Sequence, residues 1–371
     1  MTIAAVVSAL LLLPPVAAAA APTSPAPAAP GRYIVTLAPG AEVSTTLHRH
    51  QIVASHRYEQ VLHGFAAALS GPQLAALRDQ PGVTRIEPDG AIHTTATQLD
   101  PPSWGLDRVD QRNLPLDDSY TFNTTAADVH AYIIDTGIDI GHNDFGGRAS
   151  FAVNTVGGPN RDCNGHGTHV AGTTGAASFG VAKEVNLYAV KVLNCAGSGS
   201  VSSVIAGMDW VAANHTKPAV ANLSLGGGFN ASINESLDNL ADTGVFVAAA
   251  AGNENIDACT TSPASAANST SVMASDINDN RASFSNFGPC THLYAPGVAI
   301  VSTFPRNGAA IGSGTSMAAP HVTGVAAMFK ATFGDSSFDT IRGWLVDNAT
   351  AGVISGNPPN TPNLLLFTNN L

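Results

Sequence analysis

Four apolar runs, at residues 129–135, 185–193, 220–225 and 245–251, have the length of single strands and are rich in β-branched residues or alanine. The stretches between them, 167–176, 202–213 and 231–241, instead space their apolar residues as a helix does. Strand-length runs without polar alternation are buried on both faces, and consecutive strands of that kind belong to a parallel sheet covered by helices. The alternation therefore predicts an α/β domain over residues 96–371, a mostly parallel central sheet with helices on both faces. Functional groups of such a sheet gather beyond the carboxyl ends of its strands, which is where Asp135 and Asn253 fall.

The preceding residues follow a different logic. Residues 3–16 are apolar and 17–21 offer a small-residue cleavage site, which predicts a signal peptide over residues 1–21. The apolar core is shorter than the roughly 20 residues that a spanning helix needs, and Pro14 and Pro15 interrupt it. No Lys or Arg precedes it, which leaves open a start further upstream. Residues 22–30 are a Pro/Ala linker without a burial pattern. Residues 31–95 then predict a strand at 33–37, a helix at 43–51 and a strand or hairpin at 59–69. A helix at 71–80, with Leu74 and Leu77 on one face, and a strand at 83–87 complete this small α+β unit, which is marginal as an independent domain.

Charge separates the two parts. Of 16 basic and 27 acidic residues, five of each lie within 31–95, so the whole net charge of -11 belongs to the residues after it. An acidic domain argues against nucleic acid or an anionic membrane as partner. All four cysteines, Cys163, Cys195, Cys259 and Cys290, also lie there. An even number behind a signal peptide favours disulfides, with three connectivities open.

Three Gly-punctuated segments carry the chemistry. Asp135 ends Tyr132-Ile133-Ile134-Asp135-Thr136-Gly137, His166 sits in Asn164-Gly165-His166-Gly167-Thr168-His169, and Ser316 sits in Gly314-Thr315-Ser316-Met317-Ala318-Ala319-Pro320. A serine hydroxyl is a poor nucleophile until a base takes its proton, and an imidazole does so well only when a carboxylate fixes its tautomer. Alone, Asp135 would be a turn residue, Ser316 a helix cap and Asn253 a strand-ending turn. Together they point to acyl transfer. Ser316 opens the Ala-rich helical stretch 317–329, whose unpaired N–H groups favour developing negative charge, and Pro320 is expected within its first turn. Small residues at Ser198-Gly199, Ser224-Leu225-Gly226 and Ala250-Ala251-Gly252 offer edges on which an extended peptide can add as a strand.

Rival chemistries use the same region. A zinc site of Cys163, His166 and His169 lacks a C-x-x-C pair or an H-E-x-x-H helix. A metal hydrolase would use His166, His169 and Asp162, and an inactive binding module would leave Ser316 unreactive towards serine-directed reagents.

The strings Gly-His-Gly-Thr-His-Val-Ala-Gly and Gly-Thr-Ser-Met-Ala-x-Pro-His resemble the subtilisin-like serine proteases, in particular the proteinase K and aqualysin branch. The resemblance implies a subtilisin-like fold, with Ser316 as nucleophile, His166 as base, Asp135 as its orienting acid and His169 as structural. It implies that Asn253 and the Ser316 N–H receive the oxyanion, and that residues 224–226 and 250–252 wall the pocket for the residue before the scissile bond. It also implies cysteine pairing in sequence order and a cis Ser262-Pro263 bond. Gly64-Phe65-Ala66-Ala67 and Val83-Thr84-Arg85-Ile86-Glu87 resemble the family's inhibitory pro-region, so residues 31–95 are expected to be a ferredoxin-like chaperone and inhibitor. Its tail, 91–95, would lie in the substrate cleft and be cut near Thr95.

Asp107, Asp110, Gln111, Asp117 and Ser119 match a calcium loop of the branch, and such hard oxygen ligands suit that ion. The family's other main calcium site has an Asp where this chain has His292, a poor calcium ligand, so one structural calcium is expected. No organic cofactor is implied. The expected product is a secreted, extracellular monomer acting on polypeptides, with its own pro-region as partner.

Overall fold

The computed structural model describes residues 31–89 and 96–371. The expected signal peptide and linker at 1–30 and the expected tail at 91–95 lie outside the described residues. The chain forms two compact units, divided at residue 90.

The first unit runs β1 (Gly31–Leu37), α1 (Val43–Arg49), β2 (Ala54–Tyr58), β3 (Gly64–Leu69), α2 (Gly71–Arg78) and β4 (Val83–Pro88). Its sheet has the order β2-β3-β1-β4 with every pair antiparallel, the ferredoxin-like arrangement. Val35, Leu37, Leu47, Phe65, Leu69 and Leu77 form its core. The expected strand or hairpin at 59–69 is corrected in one respect. Its first strand is Ala54–Tyr58, and 59–63 is the turn, where Val61 is 97 % exposed. Ser70 caps α2 in a reciprocal capping box with Gln73.

The second unit begins with β5 (Ala96–Leu99), α3 (Trp104–Val109) and β6 (Ser119–Phe122), then β7 (His130–Asp135), β8 (Ala149–Asn154), α4 (His166–Gly175), β9 (Asn186–Lys191) and α5 (Val201–Asn214). It continues with β10 (Ala219–Leu223), β11 (Gly227–Gly228), α6 (Ala231–Asp242), β12 (Phe246–Ala250), β13 (Thr261–Ser262), β14 (Thr270–Ser275) and β15 (Leu293–Pro296). The hairpin β16 (Ile300–Phe304) and β17 (Gly308–Gly312), α7 (Thr315–Phe333), α8 (Phe338–Asn348), β18 (Thr350–Ala351) and β19 (Leu364–Leu365) complete it. The main sheet has the order β18-β19-β15-β14-β12-β10-β7-β9-β8, and only the β18 edge is antiparallel.

Every residue of β10, β12 and β14 is buried, so both faces of the sheet are covered. Helices α4 and α7 pack on each other, and α5 on α6. The chain leaves β9 and crosses β7 to reach β10, so the strand order reverses at β7 and Asp135 ends the strand at that switch point.

Pro320 corrects another expectation. Helix α7 starts at Thr315, so Pro320 is its sixth residue and lies inside the helix rather than in the first turn. A proline there removes the N–H that would bond the carbonyl four residues earlier. That carbonyl belongs to Ser316, and it accepts instead from Ser224 Oγ at 2.8 Å.

Arg108 anchors the start of the unit. Its fully buried guanidinium donates to Asp279 at 2.7 and 2.9 Å and to the carbonyls of Gln111 and Arg112 at 2.7 and 3.3 Å. Arg108→Met leaves the Asp279 carboxylate buried without its cation, and the expected cost is about 3–5 kcal/mol. Denaturant unfolding in a Ser316→Ala background reads it, and a loss below about 1 kcal/mol would show that Asp279 finds another partner.

Candidate active site

Asp135 ends β7 with its carboxylate fully buried. Oδ1 accepts from the Thr136 N–H at 2.6 Å, and the two oxygens lie 2.8 and 2.9 Å from His166 Nδ1. An ionised carboxylate only accepts, so Nδ1 carries the proton and Nε2 is left as the acceptor. Asp135 raises the His166 pKa above the ordinary 6.5, winning over burial, which pulls it down; Asp162 adds to the rise.

The sequence brings this ring to Asp135 through two glycines. Gly165, at φ +106°, is the residue from which α4 starts, a conformation that side chains resist. At Gly167 a Cβ would stand 2.2 Å from Gly137 O, so only glycine lets α4 approach the β7 turn. Asp162 holds the same turn from below. Oδ1 accepts from Thr136 Oγ1 and from the N–H groups of Asn164 and Gly165, and Oδ2 accepts from Thr168 N–H and Oγ1, all at 2.6–3.0 Å. Thr136 Oγ1 in turn accepts from Gly167 N–H at 2.9 Å.

Ser316 lies in the first turn of α7, where its N–H has no intrahelical acceptor. Its hydroxyl donates to Ser224 O at 3.3 Å. Ser224 Oγ is itself positioned by Asn222 Nδ2 at 2.8 Å. Next to it, Asn253 Oδ1 accepts from Thr315 N–H and Oγ1 at 2.8 and 3.0 Å, which fixes the amide and leaves Nδ2 as its side-chain donor. Thr315 Oγ1 also accepts from Gly252 N–H at 3.1 Å.

Two cavities flank these groups. One of about 280 Å³ has Ser316 and Asn253 in its lining together with Leu225, Gly226, Ala250, Ala251 and Gly252. The other, about 520 Å³, contains His166 with Ser198, Gly199, Ser224, Leu225 and Gly226. The residues expected from the sequence to bind substrate therefore line the two cavities that also hold the Ser316 hydroxyl and the His166 imidazole. Disulfides join Cys163 to Cys195 and Cys259 to Cys290, and Ser262–Pro263 is cis. The first disulfide ties the loop before His166 to the edge carrying Ser198 and Gly199.

The rival metal readings lose their ligands. Cys163 is in a disulfide, His169 Nε2 lies 3.1 and 3.2 Å from the carbonyls of Ile300 and Ala310, and Asp162 is filled by five donors. Sequence reading missed Asp162 as the residue holding the His166 loop, Thr315 as the anchor of Asn253, and the Asn222–Ser224 relay to Ser316. Asp162 was legible in principle, since an Asp just ahead of a glycine-started helix is a capping signal.

The expected calcium residues are neighbours without forming a closed cage. Asp107 accepts from the N–H groups of Asp117 and Asp118 at 3.3 and 2.8 Å, and Asp117 Oδ1 accepts from Ser119. Gln111 Nε2 donates to the carbonyls of Asn113 and Pro115. Asp110 Oδ2 accepts from Thr121 N–H at 2.6 Å, whereas its buried Oδ1 has no partner. Burial, with Asp107 and Asp117 nearby, pushes the Asp110 pKa up to about 7, and burial also raises that of Asp107. Elsewhere, His292 Nδ1 accepts from Ser271 N–H at 3.1 Å, and burial with Arg342 pushes its pKa down to about 4.

Comparison with known proteins fits this geometry. Residues 129–364 match the subtilase family and residues 32–95 the peptidase inhibitor I9 family. An extracellular serine proteinase of Thermus sp. (strain Rt41A) is 48 % identical over 315 residues, 84 % of this chain and 77 % of that protein. A cuticle-degrading protease of Metarhizium anisopliae is 43 % identical over 317 residues, 84 % of this chain and 81 % of the relative. A crystal structure of a cold adapted subtilisin-like serine proteinase shares 46 % identity at a TM-score of 0.70, covering 71 % of this chain and 97 % of its own. The chain belongs to the subtilase family: it is a subtilisin-like serine proteinase preceded by an I9 inhibitor-type region.

The pH dependence follows from His166. As the general base that the sequence leads one to expect, His166 would work only when neutral, so kcat/KM should fall on the acid side with a midpoint above 6.5, because Asp135 favours the imidazolium. Asp135→Asn removes that charge, so the limb should move down while kcat falls roughly 10⁴-fold, a magnitude general to catalytic triads. A midpoint at or below 6.5 in the parent enzyme would contradict the charge balance.

Proposed function

We propose that the chain is a secreted serine endopeptidase of broad specificity, made as a precursor that processes itself. The observation that carries the reading is the 2.8 Å contact between the buried Asp135 carboxylate and the partly exposed His166 imidazole, beside a cavity lined by both Ser316 and Asn253. In this reading Ser316 Oγ turns from Ser224 O to the substrate carbonyl and gives its proton to His166 Nε2. Asp135 holds the imidazole and steadies its cation, and His166 then protonates the leaving amine. Asn253 Nδ2 and the Ser316 N–H bind the oxyanion in the tetrahedral intermediate.

Substrate preference is read from the walls. Gly226, Ala250, Ala251 and Gly252 leave the cavity beside Ser316 open to an apolar or aromatic side chain before the scissile bond. Main-chain pairing along residues 198–199 and 224–226 ignores side-chain identity, which favours broad specificity. Secretion is supported by the apolar segment 3–16, the paired cysteines and the extracellular relative. Residues 31–95 act as chaperone and inhibitor in this reading, with the cut near Thr95.

A serine-directed fluorophosphonate followed by intact-mass measurement tests nucleophile and maturation together. The secreted enzyme should gain one adduct on a chain starting near Ala96. Ser316→Ala should take no adduct and keep residues before 96. Normal maturation of that variant, with no other protease present, would sink self-processing.

One structural calcium ion completes the reading. The orphaned buried oxygen of Asp110 and the mutually unfavourable carboxylates of Asp107, Asp110 and Asp117 fit a cation, which Asp107, Asp110, Gln111, Asp117 and Ser119 would hold; bound there, it would supply charge neutralisation. His292, accepting an N–H and kept neutral by burial, supports the absence of the family's second site. The raised Asp110 pKa sets the sign. Without the ion, the fold binds that proton more tightly than the unfolded chain does, so stability falls as pH rises from about 4 to about 7. Calcium should therefore raise Tm more at pH 8 than at pH 5, and Asp110→Asn should remove most of the difference. An equal calcium shift in variant and parent would place the ion elsewhere.

A further inference from the structure

Lys191 is a buried cation that the proposed chemistry does not use. It ends β9 as the register partner of Asp135 at the end of β7, so both side chains leave the same face of the sheet at its carboxyl edge. The residue is 1 % exposed, yet among the described residues its ammonium has no carboxylate within ion-pair distance. Nζ instead donates to Thr136 O at 2.5 Å and Leu193 O at 3.0 Å, with Cys163 Sγ 4.0 Å away in its disulfide. Thr136 is the residue after Asp135, and Leu193 lines the groove that holds His166.

Burying an unpaired ammonium is costly, and a neutral residue of similar length would fill the space without that cost. The charges around it account for its presence. Asp135 and Asp162 are both buried and both act on the His166 ring, and both also favour the Lys191 cation against the burial that pulls its pKa down. Among the described residues His169 also interacts with His166, and burial keeps it on the neutral side. Lys191 is thus the cation set against two carboxylates when His166 is neutral.

We propose that Lys191 is a positioning residue: its buried ammonium fixes the Asp135–Thr136 turn against Leu193 and supplies the positive charge that offsets Asp135 and Asp162 around His166. It touches neither substrate nor reacting atoms. The inference rests on His166 being the general base, and its effect passes through that ring. With Lys191 neutral, two uncompensated carboxylates would favour the imidazolium, and the enzyme would lose its base at a higher pH.

The test is the acid limb of kcat/KM for a soluble peptide substrate, measured on mature enzyme produced with its own pro-region. Lys191→Met should shift the limb upward by at least about 0.5 pH unit, about a threefold loss of rate at a fixed pH on the limb. Lys191→Arg should bring the limb back, because it restores the charge. A folded Lys191→Met with an unmoved limb overturns the proposal, as does a Lys191→Arg whose limb moves as far as that of the methionine variant. Should Lys191→Met not accumulate as folded protein, Lys191→Gln keeps N–H donors without the charge and is read in the same way. Failure of both neutral variants while Lys191→Arg folds supports a requirement for the cation; failure of Lys191→Arg as well overturns it in favour of side-chain shape. A parent enzyme that shows no acid limb at all would defeat the general-base reading itself, a result distinct from every outcome above.

Discussion

The structure depends on holding an ionised carboxylate where no water reaches it. Asp135 is fully buried, and removing such a charge from water costs several kcal/mol unless hydrogen bonds and a counter-charge replace the solvent. Thr136 N–H and His166 Nδ1 supply the hydrogen bonds. Neither can do so unless α4 meets the end of β7 at backbone distance, which explains the glycine at 167 and the five donors converging on Asp162. The strand order makes this arrangement accessible, because a sheet that reverses at β7 leaves a crevice at that carboxyl end.

The hydroxyl side of the site is organised by a helix that contains a fault. Pro320 deprives Ser316 O of its helical partner, and an unpaired carbonyl in a buried helix carries a penalty. Ser224 Oγ fills the vacancy, so the turn that carries Ser316 is fastened to β10 through Asn222 and Ser224 rather than by α7 alone. Thr315 does the same toward β12, through Asn253 and Gly252. Three strand ends, from β7, β10 and β12, are thereby locked to the two helices that carry His166 and Ser316. Arrangement of this kind favours charge development at a fixed place, since the dipoles need not reorganise during reaction.

Much of this was legible in the sequence, for identifiable reasons. The strands through Asp135, Leu223 and Ala250 were visible because parallel strands buried on both faces read as unbroken apolar runs. Thr270–Ser275 was not visible, since Thr270, Ser271 and Ser275 are buried hydroxyl residues that read as a polar loop. The four residues of β15 were too short to register, and the β16–β17 hairpin is glycine-bounded and partly exposed. Motif strings located Asp135, His166, Ser316 and Asn253 but were silent on what positions them. Asp162, Ser224 and Thr315 act through hydrogen bonds between segments far apart in sequence, and no local pattern records such bonds. Pro320 was misplaced because a serine before an Ala-rich run looks like a cap, which would start the helix at Met317, whereas it starts two residues earlier, at Thr315.

A second contrast separates the buried side chains around Asp135 and Ser316 from the walls of the groove beside them. Asp135, Thr315 and the helix interiors of α4 and α7 are buried, while the residues lining the groove at 197–200 and 226–228 are mostly exposed, glycine-rich and joined to the core by few side chains. A chain built this way buries the groups that hold Asp135 and Ser316 and leaves the groove walls open to solvent. The Cys163–Cys195 disulfide is the covalent link between the two, closing a loop whose ends lie 32 residues apart in sequence. A cross-link over that span withdraws about 3–4 kcal/mol of chain entropy from the unfolded state in the entropic account. Its position ties the groove edge to the loop that carries His166, so the exposed wall is held in register with the imidazole.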